Sequence, residues 1–266
     1  MLKQSTDLKI QVLIATMNQR DHSLIDKMNI STSAIVGNQC DRNTVEKFEF
    51  NGQNIIYLNF NERGVGLNRN NALMRADADI VMFADDDMVY EKDYENIVKN
   101  SFCKYPNADV IIFNLKEENS QRKVIKNVSK VGYFNYLRYG TARIAVRLKV
   151  IRNNGILFNQ CFGGGTSHCH GEDNLFINNC LRCKLTVIAV PEYIAALTNE
   201  RESSWNQGYN KKYLLDQGAL YYALSKRWWR LLCFQDAFRR HKSYKRGILN
   251  TFLIMTKGAK NFKLER

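Results

Sequence analysis

Proline is nearly absent: Pro106 and Pro191 are the only two in 266 residues. No proline-rich linker therefore separates independent domains, and neither a low-complexity segment nor an internal repeat is present. The seven cysteines fall without even spacing, which argues against a disulfide framework. No uncharged apolar run reaches the ~18 residues that a spanning helix needs, and no charged-then-apolar leader follows Met1. The expectation is a reduced, cytoplasmic chain, soluble or peripheral on the inner face of the plasma membrane. With 45% hydrophobic residues disorder is excluded. The chain can bury a substantial core as one large domain or as two lobes sharing a sheet.

Acidic residues are also in deficit, 26 against 39 Lys and Arg, giving a net charge of +13. The excess is local. Between Lys226 and Arg266 there are 12 Lys and Arg and two acids, Asp236 and Glu265, so this tail alone holds +10. No nucleic-acid-binding motif accompanies the charge, and nucleic acid is not an expected partner. The cations are interleaved with Trp228, Trp229, Leu231, Leu232, Phe234 and Phe238, then with Ile248, Leu249, Phe252 and Met255 at helical spacing. Basic amphipathic helices of this kind suit an anionic membrane surface. They equally suit a pair of helices that pack on the body and show solvent a basic face.

The first half alternates two periodicities. "IQVLIAT" (10–16) is a continuous aliphatic run, as a strand buried on both faces requires. A short helical segment (23–28), "SAIVG" (33–37) and "NIIYLNF" (54–60) follow. "GLNRNNALMRADA" (66–78) has helical spacing and leads into the strand "DIVMFA" (79–84). Strands separated by helices predict a mostly parallel sheet in an α/β fold, with ligands beyond the carboxyl ends of the strands. In the second half, "ADVIIFNL" (108–115), "TARIAVRLKVI" (141–151) and "TVIAVP" (186–191) read as strands, and "FGGGTSHCHGEDNLFINNCLRCKL" (162–185) passes from a glycine loop into a helix.

Two stretches bear chemistry. Asp85, Asp86 and Asp87 end a buried strand, where three like charges cost free energy unless a cation neutralises them. Hard oxygen ligands suit Mg²⁺ or Mn²⁺. In an extended chain Asp85 and Asp87 would share a side and Asp86 would face the other way. In "GGGTSHCHGEDNLF" (163–176), glycines permit close backbone approach to a ligand, and Glu172 and Asp173 sit at a helix start, where acids also stabilise the helix dipole. Cys161, His168, Cys169, His170, Cys180 and Cys183 are close in sequence. No second Cys-x-x-Cys exists to complete a zinc site, and small buried cysteines are the expected reading of the Cys180–Cys183 pair.

"LIATMN", "IVGNQCDRNT", "GLNRNNAL…ADADIVMFADDD" and "FGGGTSHCHGEDNLF", in that order, resemble the family 2 glycosyltransferases of the GT-A fold over roughly residues 8–215. The likeness is greatest to bacterial members that assemble capsule, lipopolysaccharide or other surface glycans. It implies a Rossmann-like sheet flanked by helices, with a donor-binding subdomain (1–110), an acceptor and catalytic-base subdomain (111–215), and the basic helical tail (216–266). It implies an inverting, metal-dependent transfer of a sugar from a nucleotide sugar, UDP-linked by expectation, to a glycan or lipid-linked glycan. By the same resemblance Thr16, Asn18, Asn38, Arg69, Asp85 and Asp86 contact the donor, with Asn38 near the base and Arg69 near the diphosphate. Asp87, with Asp85, holds Mn²⁺ or Mg²⁺. Asp173 is the catalytic base, and Gly164, Glu172 and Trp205 meet the acceptor. The chain departs from the family where Gly37-Asn38-Gln39-Cys40 replaces Asp-Asp-Gly-Ser. It departs again where "ALTNERESSWNQGYNKKY" (196–213) lacks the usual histidine, so that either Glu200, Glu202 or a lysine such as Lys211 substitutes or the metal is held by fewer protein ligands. Trp205 and Tyr209 could stack on a sugar or pack in the core. Two other readings stand beside this one. A nucleotidyltransferase-type enzyme is disfavoured because no glycine-rich phosphate loop with its lysine follows Ile10–Thr16. A noncatalytic membrane-surface binder would rest on the tail alone.

Overall fold

The protein is described from a computed structural model covering residues 8–117, 123–198 and 208–264. In chain order the elements are β1 (Ile10–Met17), α1 (Leu24–Lys27), β2 (Ser33–Gln39), β3 (Thr44–Phe50), β4 (Gln53–Phe60), α2 (Val65–Arg75), β5 (Ile80–Asp85), β6 (Met88–Tyr90), α3 (Tyr94–Lys104), β7 (Val110–Lys116), β8 (Ser129–Lys130), β9 (Ile144–Arg147), α4 (Leu148–Asn153), α5 (Glu172–Arg182), β10 (Val187–Leu197), α6 (Lys211–Leu224), α7 (Trp229–Arg239), α8 (His241–Tyr244) and α9 (Ile248–Leu264). The strands form one sheet in the order β3-β4-β2-β1-β5-β9-β7-β10-β6, with β8 on β10.

The long central strands β4, β2, β1 and β5 run parallel, as do β7 and β10. Their near-continuous apolar sequences follow from burial on both faces. Along β5, Val81 and Phe83 face one core while Ile80, Met82 and Ala84 face the other. The first core lies under α2, α4, α5 and the C-terminal helices, and the second under α1 and α3.

Three local readings of the sequence change. The stretch 141–151 is not one strand: residues Thr141–Arg143 form a 3-10 turn, β9 has four residues, and α4 follows. β9 enters antiparallel between β5 and β7, so the parallel sheet has an antiparallel insertion at its centre. β10 continues beyond Pro191 to Leu197, with its register to β7 shifting between Ala189 and Tyr193. Proline donates no backbone hydrogen bond, so the ladder bulges there rather than ending. Lastly, β3 pairs antiparallel with β4 at the sheet edge, where half of its side chains are exposed.

α2 ends without glycine. The Arg152 guanidinium caps it instead, its Nη2 donating to the carbonyl oxygens of Leu73 (3.1 Å), Met74 (3.0 Å) and Ala76 (2.5 Å), which satisfies acceptors that a helix end leaves open.

The tail is integral to this architecture. α6 runs across residue 216 and packs along α9, with Gly218 against the Met255 backbone and Gly258 against the Leu215 backbone. A Cβ at Gly258 would overlap the Leu215 carbonyl oxygen, so the two helices approach more closely than any side chain allows. Gly258→Val is expected to lower unfolding free energy by ~3 kcal/mol through overpacking. Gly247→Ala, at a position with open space around it, is expected to leave stability unchanged. Urea denaturation of the two variants checks both.

Candidate active site

β5 delivers Asp85 to the carboxyl edge of the sheet, level with Ala15 of β1. The chain then turns at Asp86–Asp87 into β6. The period-two argument for Asp85 and Asp87 does not apply here, because the extended backbone stops at Asp85. Contacts differ along the turn. Asp85 Oδ1 accepts from Arg69 Nη2 at 2.6 Å, Asp86 Oδ2 accepts from the Thr16 hydroxyl at 2.6 Å, and the Asp87 carbonyl accepts from the Thr198 amide at 2.8 Å.

Arg69 is the hub. Its side chain is 4% exposed, and Nη1 reaches Glu172 Oε1 at 3.0 Å and Asp173 Oδ1 at 3.4 Å while Nη2 holds Asp85. Burial alone would lower its pKa, but Asp85, Asp173 and Glu172 together raise it above the ordinary arginine value. The guanidinium lies 5.4 Å from the centre of the Phe158 ring, which stacks on Phe176 at 4.3 Å, with Phe83 edge-on to both. Asn70, next in sequence, holds this floor in place: its amide exchanges two hydrogen bonds with the Phe158 backbone, 2.9 and 2.8 Å. Arg69 thus faces carboxylates rather than an open diphosphate site.

The second carboxylate pair starts α5. Glu172 is buried, and desolvation, with Asp173 beside it, pushes its carboxyl well above the ordinary glutamate value despite Arg69. Gly163, at φ +101°, makes the space: a Cβ there would lie 2.7 Å from the Glu172 carboxyl carbon. Gly164 does not present itself to a ligand by its carbonyl, which accepts from the Val65 amide at the start of α2 (2.9 Å). Asp173 is 30% exposed. Its Oδ1 accepts from the Thr141 hydroxyl as well as from Arg69, and Gly140, lacking a side chain, borders Oδ2. Thr141 is a site residue that sequence reasoning missed, since nothing local marks a threonine 32 residues away as the partner of this aspartate.

The expected base contact also moves. Asn38 is fully buried, and its amide is committed to the Gln19 backbone N–H and C=O (both 3.0 Å) and to Asn59 Oδ1 (2.7 Å). It shapes the loop rather than facing it. Asn18 lies exposed in that loop at φ +57°, a conformation that asparagine tolerates. Beyond the loop is a cavity of about 250 Å³ lined by Gln19, His22, Arg42, Glu46, Tyr57 and Asn59. The Tyr57 hydroxyl is buried there without a hydrogen-bond partner. A larger cavity, about 750 Å³, opens at the amino ends of β1 and β4, away from every carboxylate above.

His168 and His170 anchor the glycine loop before α5 to α6. His168 Nδ1 meets Asp216 Oδ1 at 3.1 Å, while His170 Nε2 meets Gln217 Oε1 at 2.8 Å and its ring stacks on Tyr213 at 4.4 Å. Burial lowers the pKa of His170. Cys169, His170 and Asp216 bring three potential metal ligands within 4.8 Å of one another, with Asp216 also engaged by a lysine. Lys212 Nζ already neutralises Asp216 at 2.6 and 2.7 Å, and burial with Asp216 pushes the Cys169 thiol up to about 11. Of the Cys-x-x-Cys pair, Cys180 is buried as expected, but Cys183 caps α5 and is exposed. Tyr209 packs edge-on to Tyr213 and Tyr244. Trp205, Glu200 and Glu202 lie outside the described residues, and Lys211 is exposed at the start of α6.

A glutamate whose folded-state pKa is raised binds its proton more tightly in the folded than in the unfolded chain. Its contribution to stability is therefore present below about pH 4.5 and falls as pH rises through the folded value. Glu172→Gln should remove that slope, so that the variant gains stability relative to the parent between pH 5 and pH 8. Urea midpoints across this range test it, and parallel profiles would refute the assignment.

Residues 35–162 match the family model described as "Glycosyl transferase family 2". No curated protein matches the chain significantly by sequence. Among solved structures, S. aureus TarS 1–349 in complex with UDP-GlcNAc superimposes with TM-score 0.62 at 13% identity, covering 97% of this chain and 93% of that one. TarS 1–349 in complex with UDP gives 0.61 at 15% identity, over 97% and 92%. A longer TarS structure gives 0.60 at 15% identity, with 93% of this chain covering 55% of that protein. At such identities the likeness is one of fold, and the shared GT-A architecture extends over nearly the whole chain. The sequence likeness to glycosyl transferase family 2 lies within this shared fold, over residues 35–162.

Proposed function

We propose that this glycosyltransferase moves a sugar from a UDP-linked donor to a hydroxyl of a bacterial surface-glycan acceptor, inverting the anomeric centre. The observation that carries the reading is the Arg69 guanidinium, which gathers Asp85 and the Glu172–Asp173 pair around one point. The carboxylate turn and the candidate base therefore share one cleft, at the carboxyl edge where α/β sheets bind ligands. Complexes of TarS with UDP and UDP-GlcNAc on the same fold support a uridine-nucleotide donor.

In this reading Asp173 takes the proton of the acceptor hydroxyl as that oxygen attacks the anomeric carbon. Thr141 and Arg69 fix Oδ1, so Oδ2, beside Gly140, is the oxygen aimed at the acceptor. Glu172 and Gly164 shape the acceptor side from beneath, as buried and backbone elements, and Trp205 is a further acceptor contact by the family pattern. On the donor side, Thr16 orients Asp86. The base enters the cavity between Gln19, Arg42 and Tyr57, where the Tyr57 hydroxyl offers a hydrogen bond. Asn18 and Asn38 hold the loop that forms its rim.

The turn carries hard oxygen ligands of the kind a divalent cation prefers: Asp85 has 42% of its side chain exposed, and Asp86 and Asp87 are half-buried beside it. Asp87 with Asp85 would hold Mn²⁺ or Mg²⁺. Such an ion, when bound, offsets negative charge growing on the departing diphosphate. Arg69, buried beneath, positions the carboxylates and adds a second positive field.

A thermal-shift screen of nucleotide sugars with Mn²⁺ should give stabilisation by UDP sugars above all, and no response to any donor would overturn the proposal. Asp173→Asn is expected to reduce transfer by roughly 10²- to 10⁴-fold while donor affinity is retained. Thr141→Val should lower kcat with little change in donor binding. Asp87→Ala should instead weaken Mn²⁺-dependent UDP-sugar binding, read by calorimetry with and without the metal.

A further inference from the structure

α7 and α9 have two different faces. Inward, Cys233, Ala237, Thr251, Met255, Ala259 and Phe262 are buried, which satisfies the reading that these helices pack on the body. Outward, however, the surface is not merely basic. Trp228, Leu231, Phe234 and Phe238 on α7 and its start, and Leu249 and Leu253 on α9, are between 47% and 72% exposed. Residues 231, 234 and 238 follow helical spacing, as do 249 and 253, so each set occupies one stripe. The stripes adjoin: Phe234 meets Phe252 edge-on with ring centres 6.0 Å apart. The result is an apolar patch running across two helices, of the kind a soluble surface avoids.

Its rim is cationic. Arg227, Arg230, Arg239, Lys242, Lys257 and Lys260 are exposed around it, and Arg227 and Arg230 lie 5.0 and 5.1 Å over the rings of Trp228 and Trp229. Among the described residues from 226 onward the one acid, Asp236, is buried against Arg240 and Tyr244. No carboxylate among the described residues of this segment faces outward.

We infer that the α7–α9 face docks on an anionic lipid surface, with Trp228, Leu231, Phe234, Phe238, Leu249 and Leu253 entering the headgroup boundary and the surrounding cations meeting lipid phosphates. Charge selects this occupant. A second copy of the chain would bring an equally basic surface against this one, which repels, whereas an anionic bilayer complements both the cations and the apolar stripe. Long Lys and Arg side chains can lie along the apolar surface while their heads reach phosphate. No described helix is long and apolar enough to cross a membrane, so the contact is in the plane of the interface. This inference is independent of the donor chemistry proposed above.

Flotation of the full chain with vesicles tests it. The protein should float with phosphatidylglycerol-containing vesicles, stay behind with pure phosphatidylcholine, and be released by high salt. Leu231→Ser/Phe234→Ser/Leu253→Ser should reduce partitioning at least tenfold, and each of Arg230→Gln and Lys257→Gln about fivefold. All are exposed positions, and an unchanged thermal midpoint shows that the fold is kept. Equal flotation with neutral and anionic vesicles, or a triple variant that floats like the parent, would overturn the proposal. So would a dimer in sedimentation that the triple variant dissolves, since the face would then belong to a second copy.

Discussion

One buried guanidinium facing three carboxylates is the constraint on which the rest of the site depends. Arg69 can balance one negative charge, and Asp85, Glu172 and Asp173 supply up to three. In a poorly solvated place this imbalance has to be relieved by protonation, by further cations or by solvent at the open edge. The molecule uses position to distribute these solutions. Glu172, the most enclosed of the three, is driven toward its neutral form, while Asp85 and Asp173 stay at the cleft, where solvent and ligands can reach them. A carboxylate triad that would be unfavourable on its own becomes a graded set: one acid that supports, and two that can act.

That arrangement draws on distant parts of the chain. α2 brings Arg69, β5 brings Asp85, α5 brings Glu172 and Asp173, and the 3-10 turn before β9 brings Thr141. The aromatic floor of Phe83, Phe158 and Phe176 fills the space under the guanidinium, so the ion network rests on close-packed rings rather than on water. The glycine loop adds the remaining freedom. Gly163 leaves room for the Glu172 carboxyl, and the Gly164 carbonyl ties the loop to the first turn of α2. The two halves of the site are thus hydrogen-bonded to each other before any substrate is present.

Much of this was legible in the sequence because the central strands are buried on both faces and spell continuous apolar runs. β1 and β5, α2 and the start of α5 lie where their residues indicated. The misses have physical causes. β3, "TVEKFEF", is half exposed at the edge and has too few apolar residues to announce itself. The run 141–151 is apolar enough for a strand, yet Thr141 and Leu148 belong to a turn and a helix, and pairing with β5 and β7 is confined to residues 144–147. Asn38 was placed near the base by family resemblance, but its amide is satisfied internally by Gln19 and Asn59. Arg69 was placed near the diphosphate by family resemblance, and the structure adds that it is buried against Asp85, Glu172 and Asp173. His168 and His170 lie just before Glu172 in sequence, and their contacts with Asp216 and Gln217 of α6 make them moorings of the loop.

The glycine-to-backbone contact between α6 and α9 bears on modularity. Two helices that touch through Gly218 and Gly258 have no side-chain layer to repack, so neither can be replaced by an unrelated amphipathic segment of equal length. α6 in turn holds the loop before Glu172 through Asp216 and Gln217. The C-terminal helices are therefore not an interchangeable cassette fused to an autonomous enzyme. Exchange of this segment among homologous chains is restricted to donors that keep both glycines in register, and shortening the chain from its end unseats the loop before Glu172, some 75 residues upstream of α9.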